Sequence, residues 1–142
     1  MESKENKPVV DNEPMSLEES FHNGYFYFMK AVDILALDAA EQCEVMGNFN
    51  VAWEIQHDVL GDAAALVNWP VDYLSSSEKA AIAQITTPLK ELPDDALISD
   101  HLRAMSHPSW TPLRLAAARL IVQLEEATKR NREYFDRQRS QG

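Results

Sequence analysis

Apolar positions recur along this chain at helical steps, in runs separated by proline, asparagine and glycine. From Ser16 onward, Leu17, Phe21, Phe28, Val32, Leu35, Ala39, Cys43 and Met46 fall on one face. Steps of three, four and seven predict a first helix of about eight turns. Ser16-x-x-Glu19 has capping-box spacing at its start, and Gly47 offers a left-handed stop at its end. Asn48 or Asn50 then caps a second helix to about Asn68, with Val51, Ala52, Ile55, Val59, Leu60, Ala63, Leu66 and Val67 on one arc and Trp53 at its edge. A link this short makes the two helices antiparallel neighbours. Trp69-Pro70 ends the second, because a residue before proline is pushed out of the α region.

Ser75-x-x-Glu78 repeats the capping-box signature and opens a third helix on Ala81, Ile82, Ile85, Leu89 and Leu92, which Pro88 should kink or split. After Pro93-Asp94-Asp95, residues Ala96 to Ser106 read as a shorter fourth helix. Thr111 as N-cap, with Pro112 at the first helical position, opens a last helix to about Arg137 on Leu113, Ala117, Leu120, Ile121, Leu124, Thr128 and Phe135. No segment alternates with period two. The pattern predicts an all-α protein, an antiparallel up-down bundle of four to five helices whose first and last helices form the spine.

A length of 142 residues, of which 45% are hydrophobic, suits one self-sufficient domain. That domain is expected over 15–142. Residues 1–14, with four acids, two lysines, two prolines and Val9-Val10 as their apolar pair, read as a disordered tail. A single cysteine excludes an intrachain disulfide, and the absence of a long apolar run argues against a membrane span or signal peptide. A cytoplasmic protein of bacterial type is the expectation.

The first predicted helix carries a second apolar stripe of Phe26, Tyr27, Ile34, Leu37 and Val45, interleaved with Lys30, Glu41 and Glu44. Either two neighbouring helices sandwich it, or it meets another protein. Gly24 lies within the aromatic string Phe21 to Phe28, where it offers close approach to another backbone. Charge is divided along the chain: residues 1–100 hold 19 acids and 5 bases, residues 101–142 hold 4 acids and 8 bases, and the total is −10. The basic end of the last helix complements its macrodipole, and the acidic body disfavours nucleic acid.

Candidate chemistry is sparse. Glu54-Ile55-Gln56-His57 has the Glu-x-x-His spacing of di-iron bundles, but in one copy and on the polar arc. Gln56 projects from the apolar arc and needs an internal hydrogen-bond partner. Cys43 sits on the core face, where it behaves as a small hydrophobe. Ser109 near His107 lacks a nucleophile turn, and no glycine-rich phosphate loop is present. Trp69, Tyr73 and Trp110 flank helix ends, as lids over the core or as the lining of a shared pocket.

No catalytic, metal or cofactor residues are therefore assigned. The expected function is that of a small acidic interaction protein, an inhibitor or immunity protein by analogy of class. Phe26, Tyr27, Ile34 and Leu37 are its anchors, and Asp33, Asp38, Glu41 and Glu44 steer association with a basic partner. The alternative is a homodimer or larger homo-oligomer acting as a regulator or scaffold, with a basic C-terminal helix. A bundle metalloprotein or enzyme ranks third. Neither a membrane nor nucleic acid is an expected partner.

Overall fold

Ser16 accepts the Glu19 N–H at 3.0 Å and starts α1 (Leu17–Leu35), where the periodicity places the first helix. The computed structural model describes residues 15–141, so the expected tail lies outside the described residues. After α1 come α2 (Ala39–Val45), α3 (Val51–Val67), α4 (Ser76–Lys90), a 3₁₀ turn (Asp94–Ala96), α5 (His101–Met105), α6 (Trp110–Gln123) and α7 (Glu125–Gln141). Among the described residues there is no strand, and no helix is long and apolar enough to cross a membrane.

Among the described residues seven α-helices replace the expected four or five because two long runs are broken. The first run stops at Leu35 with neither glycine nor proline to stop it. Asp38 accepts the Glu41 N–H at 2.8 Å, and Glu41 accepts the Asp38 N–H at 3.3 Å. This Asp-x-x-Glu capping box opens α2 and outcompetes the continuous apolar stripe. Gln42 Nε2 donates to the Leu35 carbonyl at 2.9 Å and to that of Ile34 at 3.1 Å, where it joins the Leu37 N–H. Gln42 is fully buried.

The last run bends instead of stopping. Leu124 leaves helical geometry (φ −102°, ψ 17°), yet its N–H reaches the Leu120 carbonyl at 2.9 Å and its carbonyl accepts the Thr128 N–H at 2.8 Å. The buried Tyr25 hydroxyl lies 3.3 Å from that carbonyl and 2.8 Å from the Thr128 hydroxyl. The Tyr25 hydroxyl thus adds a bond to a carbonyl whose helical partner is kept. Burial pushes the Tyr25 phenol up to about 12.

Two other boundaries shift. Ala96 to Ser106 is a 3₁₀ turn, an irregular stretch and then α5, which Asp100 caps through the Arg103 N–H at 3.2 Å. The helix α6 starts at Trp110, one residue before the expected Thr111 cap. The N–H groups of Trp110 and Thr111 reach back to His107 and Pro108, and the His107 ring accepts the Ser109 N–H. Pro112 still falls in the first turn, where no backbone donor is required of it. Pro88 sits in the last turn of α4, which continues to Lys90 unsplit.

The helix α1 packs on α3 and α6, and α4 packs on the same two, so four helices close a ring around the core. Phe28, Val32, Leu35, Val59, Ala63, Ile82, Leu89, Ala117 and Leu124 fill it without measurable exposure. Gln56 finds its internal partner there, donating to the Leu89 carbonyl at 2.9 Å near the end of α4. Gly24 admits no close backbone: the nearest atom to a Cβ built there is Leu66 Cδ2, at an ordinary 3.9 Å.

Candidate interaction surface

The break at Ala36–Asp38 divides the eight residues assigned to partner binding. Phe26 and Tyr27 are exposed on α1 and face a groove against α7. Ile34 is half-buried against the core, and Leu37 is half-buried in the break. Asp33, Asp38, Glu41 and Glu44 are exposed, and the first two helices carry them on separate axes. Asp38 and Glu41 are also the capping pair of α2. The second stripe is therefore not one continuous face, and Val45, its last member, belongs to the next helix.

The turn joining α2 to α3 carries a feature that periodicity does not show. Gly47 (φ +80°) closes α2 with the Asn48 N–H on the Cys43 carbonyl and the Gly47 N–H on the Glu44 carbonyl, a Schellman arrangement. Asn48 and Asn50 follow with φ of +60° and +47°. Asn50 starts α3 from the left-handed region and makes no side-chain cap. Between them Phe49 is 70% exposed, with Val45 and the half-exposed Trp53 on either side. The adjoining Val51 and Ala52 are fully buried, which fixes the corner to the core. Non-glycine residues held at positive φ are strained, and their persistence calls for a reason.

The segment that contains this corner is acidic, although Asp72 and Glu78, beyond the far end of α3, pair with Lys79 and Arg130. Residues 31–78 contain nine aspartates and glutamates and no lysine or arginine. A cation does reach α2 from elsewhere in the fold: Arg114, half-buried on α6. It donates through Nε and Nη2 to Gln42 Oε1, at 3.1 and 2.9 Å, and through Nη2 to the Met105 carbonyl. Burial depresses its pKa, with Asp38 opposing. The same burial pushes the Cys43 thiol up, outweighing the nearby guanidinium, so this cysteine is a poor nucleophile.

A second cluster gathers around His22 on α1. The ring is buried and stacks on Tyr134 of α7 at 4.0 Å, with Phe21 and Tyr73 at 5.1 and 5.8 Å. Its Nδ1 donates to Asn131 Oδ1 at 2.6 Å, and Glu18 lies 4.0 Å from Nε2. Desolvation lowers the His22 pKa below 6.5, against opposing contributions from Asn131 and Glu18. Unfolded chain then binds the proton more readily than folded chain, so stability is complete above about pH 6.5 and declines as pH falls below it. Urea midpoints measured from about pH 7.5 to about 5.5 should show a shallower acid decline for His22→Gln than for the native chain. Equal slopes would remove His22 as the cause.

Arg130 joins α7 to the start of α4, donating to Glu78 at 2.6 Å. Burial raises the Glu78 pKa, but Arg130 and the Ser75 bonds outweigh it and hold the carboxyl low.

The remaining candidates stay apart. His57 is exposed, stacks on Trp53 at 3.8 Å and points Nδ1 at the Trp53 carbonyl. Among the described residues no three His, Cys, Asp or Glu side chains are placed to hold a metal. Trp69 and Tyr73 both pack against Phe21, while Trp110 is fully buried with Nε1 on the Ala96 carbonyl and shares no ring contact with either. The idea of one pocket lined by Trp69, Tyr73 and Trp110 is thereby corrected. Phe49 itself escaped the periodic reading because it belongs to no helix. The readable signal was a large apolar residue between two asparagines directly after a helix-stopping glycine. Comparison with protein families, curated proteins and solved structures finds no match to this chain.

Proposed function

We propose that this protein acts by binding a basic protein through the α2–α3 corner, as an inhibitor or immunity protein that covers its partner's site. The observation that carries the reading is Phe49: a phenyl ring 70% exposed in a turn with two positive-φ asparagines, flanked in sequence by Glu41, Glu44 and Glu54 and by no base. Exposed apolar groups rimmed by one sign of charge suit an interface with an aromatic anchor at its centre and steering charges around it. Phe49 and Trp53 take the anchoring role first assigned to the stripe on α1, while Asp38, Glu41 and Glu44 keep the steering role. A rigid turn presents the ring without the ordering cost of a mobile loop. The reading retains the antiparallel, up-down course of the four long helices and a cytoplasmic setting.

The test is affinity capture with the native chain and with a Phe49→Asp/Trp53→Ala chain. Both positions are exposed, so the variant keeps its core. A basic protein should be retained by the native chain, lost at high salt, and bound roughly a hundredfold more weakly by the variant. Identical captures with both chains would refute the proposal. Light scattering over a wide concentration range completes the test: a dimer that dissociates on the same substitution would assign the corner to self-association instead.

A further inference from the structure

A second surface, independent of the corner, lies between α1 and α7. There a groove of about 820 Å³ is walled by Phe26 and Tyr27 from α1 and by Phe135, Arg132 and Arg139 from α7, with Asn131 among its lining. Phe26 and Tyr27 are 46% and 61% exposed and meet edge to face at 5.4 Å. Phe135 approaches Phe26 at 6.4 Å, again nearly perpendicular. The three rings make an apolar wall that α1 and α7 leave uncovered.

The polar lining of this groove is mixed: Asp136, Asn23, Thr128 and Gln138 offer acceptors, while Asn131 and Arg132 offer donors. Asn131 is only 6% exposed, and its Oδ1 is taken by His22. No described hydrogen bond occupies its Nδ2, which keeps a solvent-accessible edge and so can donate to whatever enters. The Arg132 guanidinium lies on the same wall, and the Lys30 ammonium stands 5.6 Å from the centre of the Phe26 ring. Arg139 is paired with Asp136. Beside that pair, Arg132 in the lining and Lys30 over Phe26 leave two cations at this groove on a chain whose total charge is −10.

We propose that this groove binds a short partner segment that carries a carboxylate between apolar side chains. The apolar side chains cover Phe26, Tyr27 and Phe135. The carboxylate accepts from Asn131 Nδ2 and from Arg132, and charge-assisted bonds of this kind are the stronger ones. A basic segment of the sort suited to the corner would set like charge against Arg132 and Lys30. A nucleic-acid strand would find rings to stack on, but the acidic body repels its phosphates. Apolar anchors and an acidic group in one segment are a common mode of groove recognition.

The probe is a phage library of random dodecapeptides panned on the full chain, followed by titration of the enriched peptides. Enriched sequences should place Asp or Glu between aromatic or aliphatic residues. Their affinity should fall roughly tenfold with Arg132→Glu and with Tyr27→Ser, and stay unchanged with Phe49→Asp. Both groove positions are exposed, so neither variant endangers the fold. The side-chain amide resonances of Asn131 should shift on peptide addition. Four results would each overturn the proposal: no enrichment, enriched peptides that are basic, binding indifferent to Arg132→Glu and Tyr27→Ser, or displacement of the peptides by oligo-dT. Basic peptides that depend on Phe49 would overturn this proposal while supporting the one for the corner.

Discussion

Trp110→Ala is expected to destabilise the protein by about 3–5 kcal/mol, the range for removing a large buried aromatic side chain. Trp110 is fully buried, and its indole N–H donates to the Ala96 carbonyl at 3.0 Å. Truncation therefore removes the packing of the whole ring and strands a carbonyl of the 3₁₀ turn. Against a total stability of roughly 5–15 kcal/mol for a domain of ordinary size, this is a large fraction. Trp110→Phe separates the two contributions. It keeps most of the apolar volume and loses the donor, so its cost should be about 1–2 kcal/mol. Urea unfolding with unchanged slope is the measurement. Equal losses for Ala and Phe would mean that the hydrogen bond, not the packing, holds this end of the bundle.

Gln42→Leu should rank next, at about 2–4 kcal/mol. The substitution preserves approximate volume and apolar character, so a periodic view of the first helix would predict it to be harmless or stabilising. The contacts say otherwise. One amide satisfies the last carbonyls of α1 through its nitrogen and the Arg114 guanidinium through its oxygen. Losing it leaves the Leu35 carbonyl without its side-chain donor and the half-buried Arg114 with the Met105 carbonyl as its remaining acceptor. Groups in one network do not act additively. The double variant Gln42→Leu/Arg114→Leu should therefore cost at least about 1 kcal/mol less than the sum of the single losses, because removing both partners leaves no stranded charge. Additive losses would show that Gln42 acts only as a cap.

The helical faces were legible because burial imposes a period of 3.6 residues on any helix with one apolar side. Phe21, Phe28, Val32 and Leu35 had to be core for that reason, and they are. Helix starts were equally legible where Ser preceded the run: Ser75 closes the full box with Glu78, and Ser16 caps one way, accepting the Glu19 N–H without a reciprocal bond. The other full box, Asp38-x-x-Glu41, was written just as plainly. It was overridden by an apolar stripe that continues across the break, since two helices meeting end to end can bury the same positions as one long helix. At Leu124 no local signal exists at all. The polar group found beside its carbonyl is the Tyr25 hydroxyl, ninety-nine positions away in sequence.

The candidate surfaces followed the same division. Charge was readable from the chain, including the base-free span around Phe49, as were the aromatic residues of α1 and the basic residues of α7. That Phe26 faces Phe135 across a groove, or that Gln42 meets Arg114, was not readable. These partners are distant in sequence, and periodicity assigns a residue to a face without saying which element lies opposite. What the sequence determined by itself was local: helices, most of their ends, and an all-α class, because hydrogen bonding and apolar period act over a few residues. What only the tertiary structure decided was where those helices break, which polar groups pair in the interior, and which aromatic rings remain in water. Each of these depends on contacts between distant segments, and only the assembled core selects them.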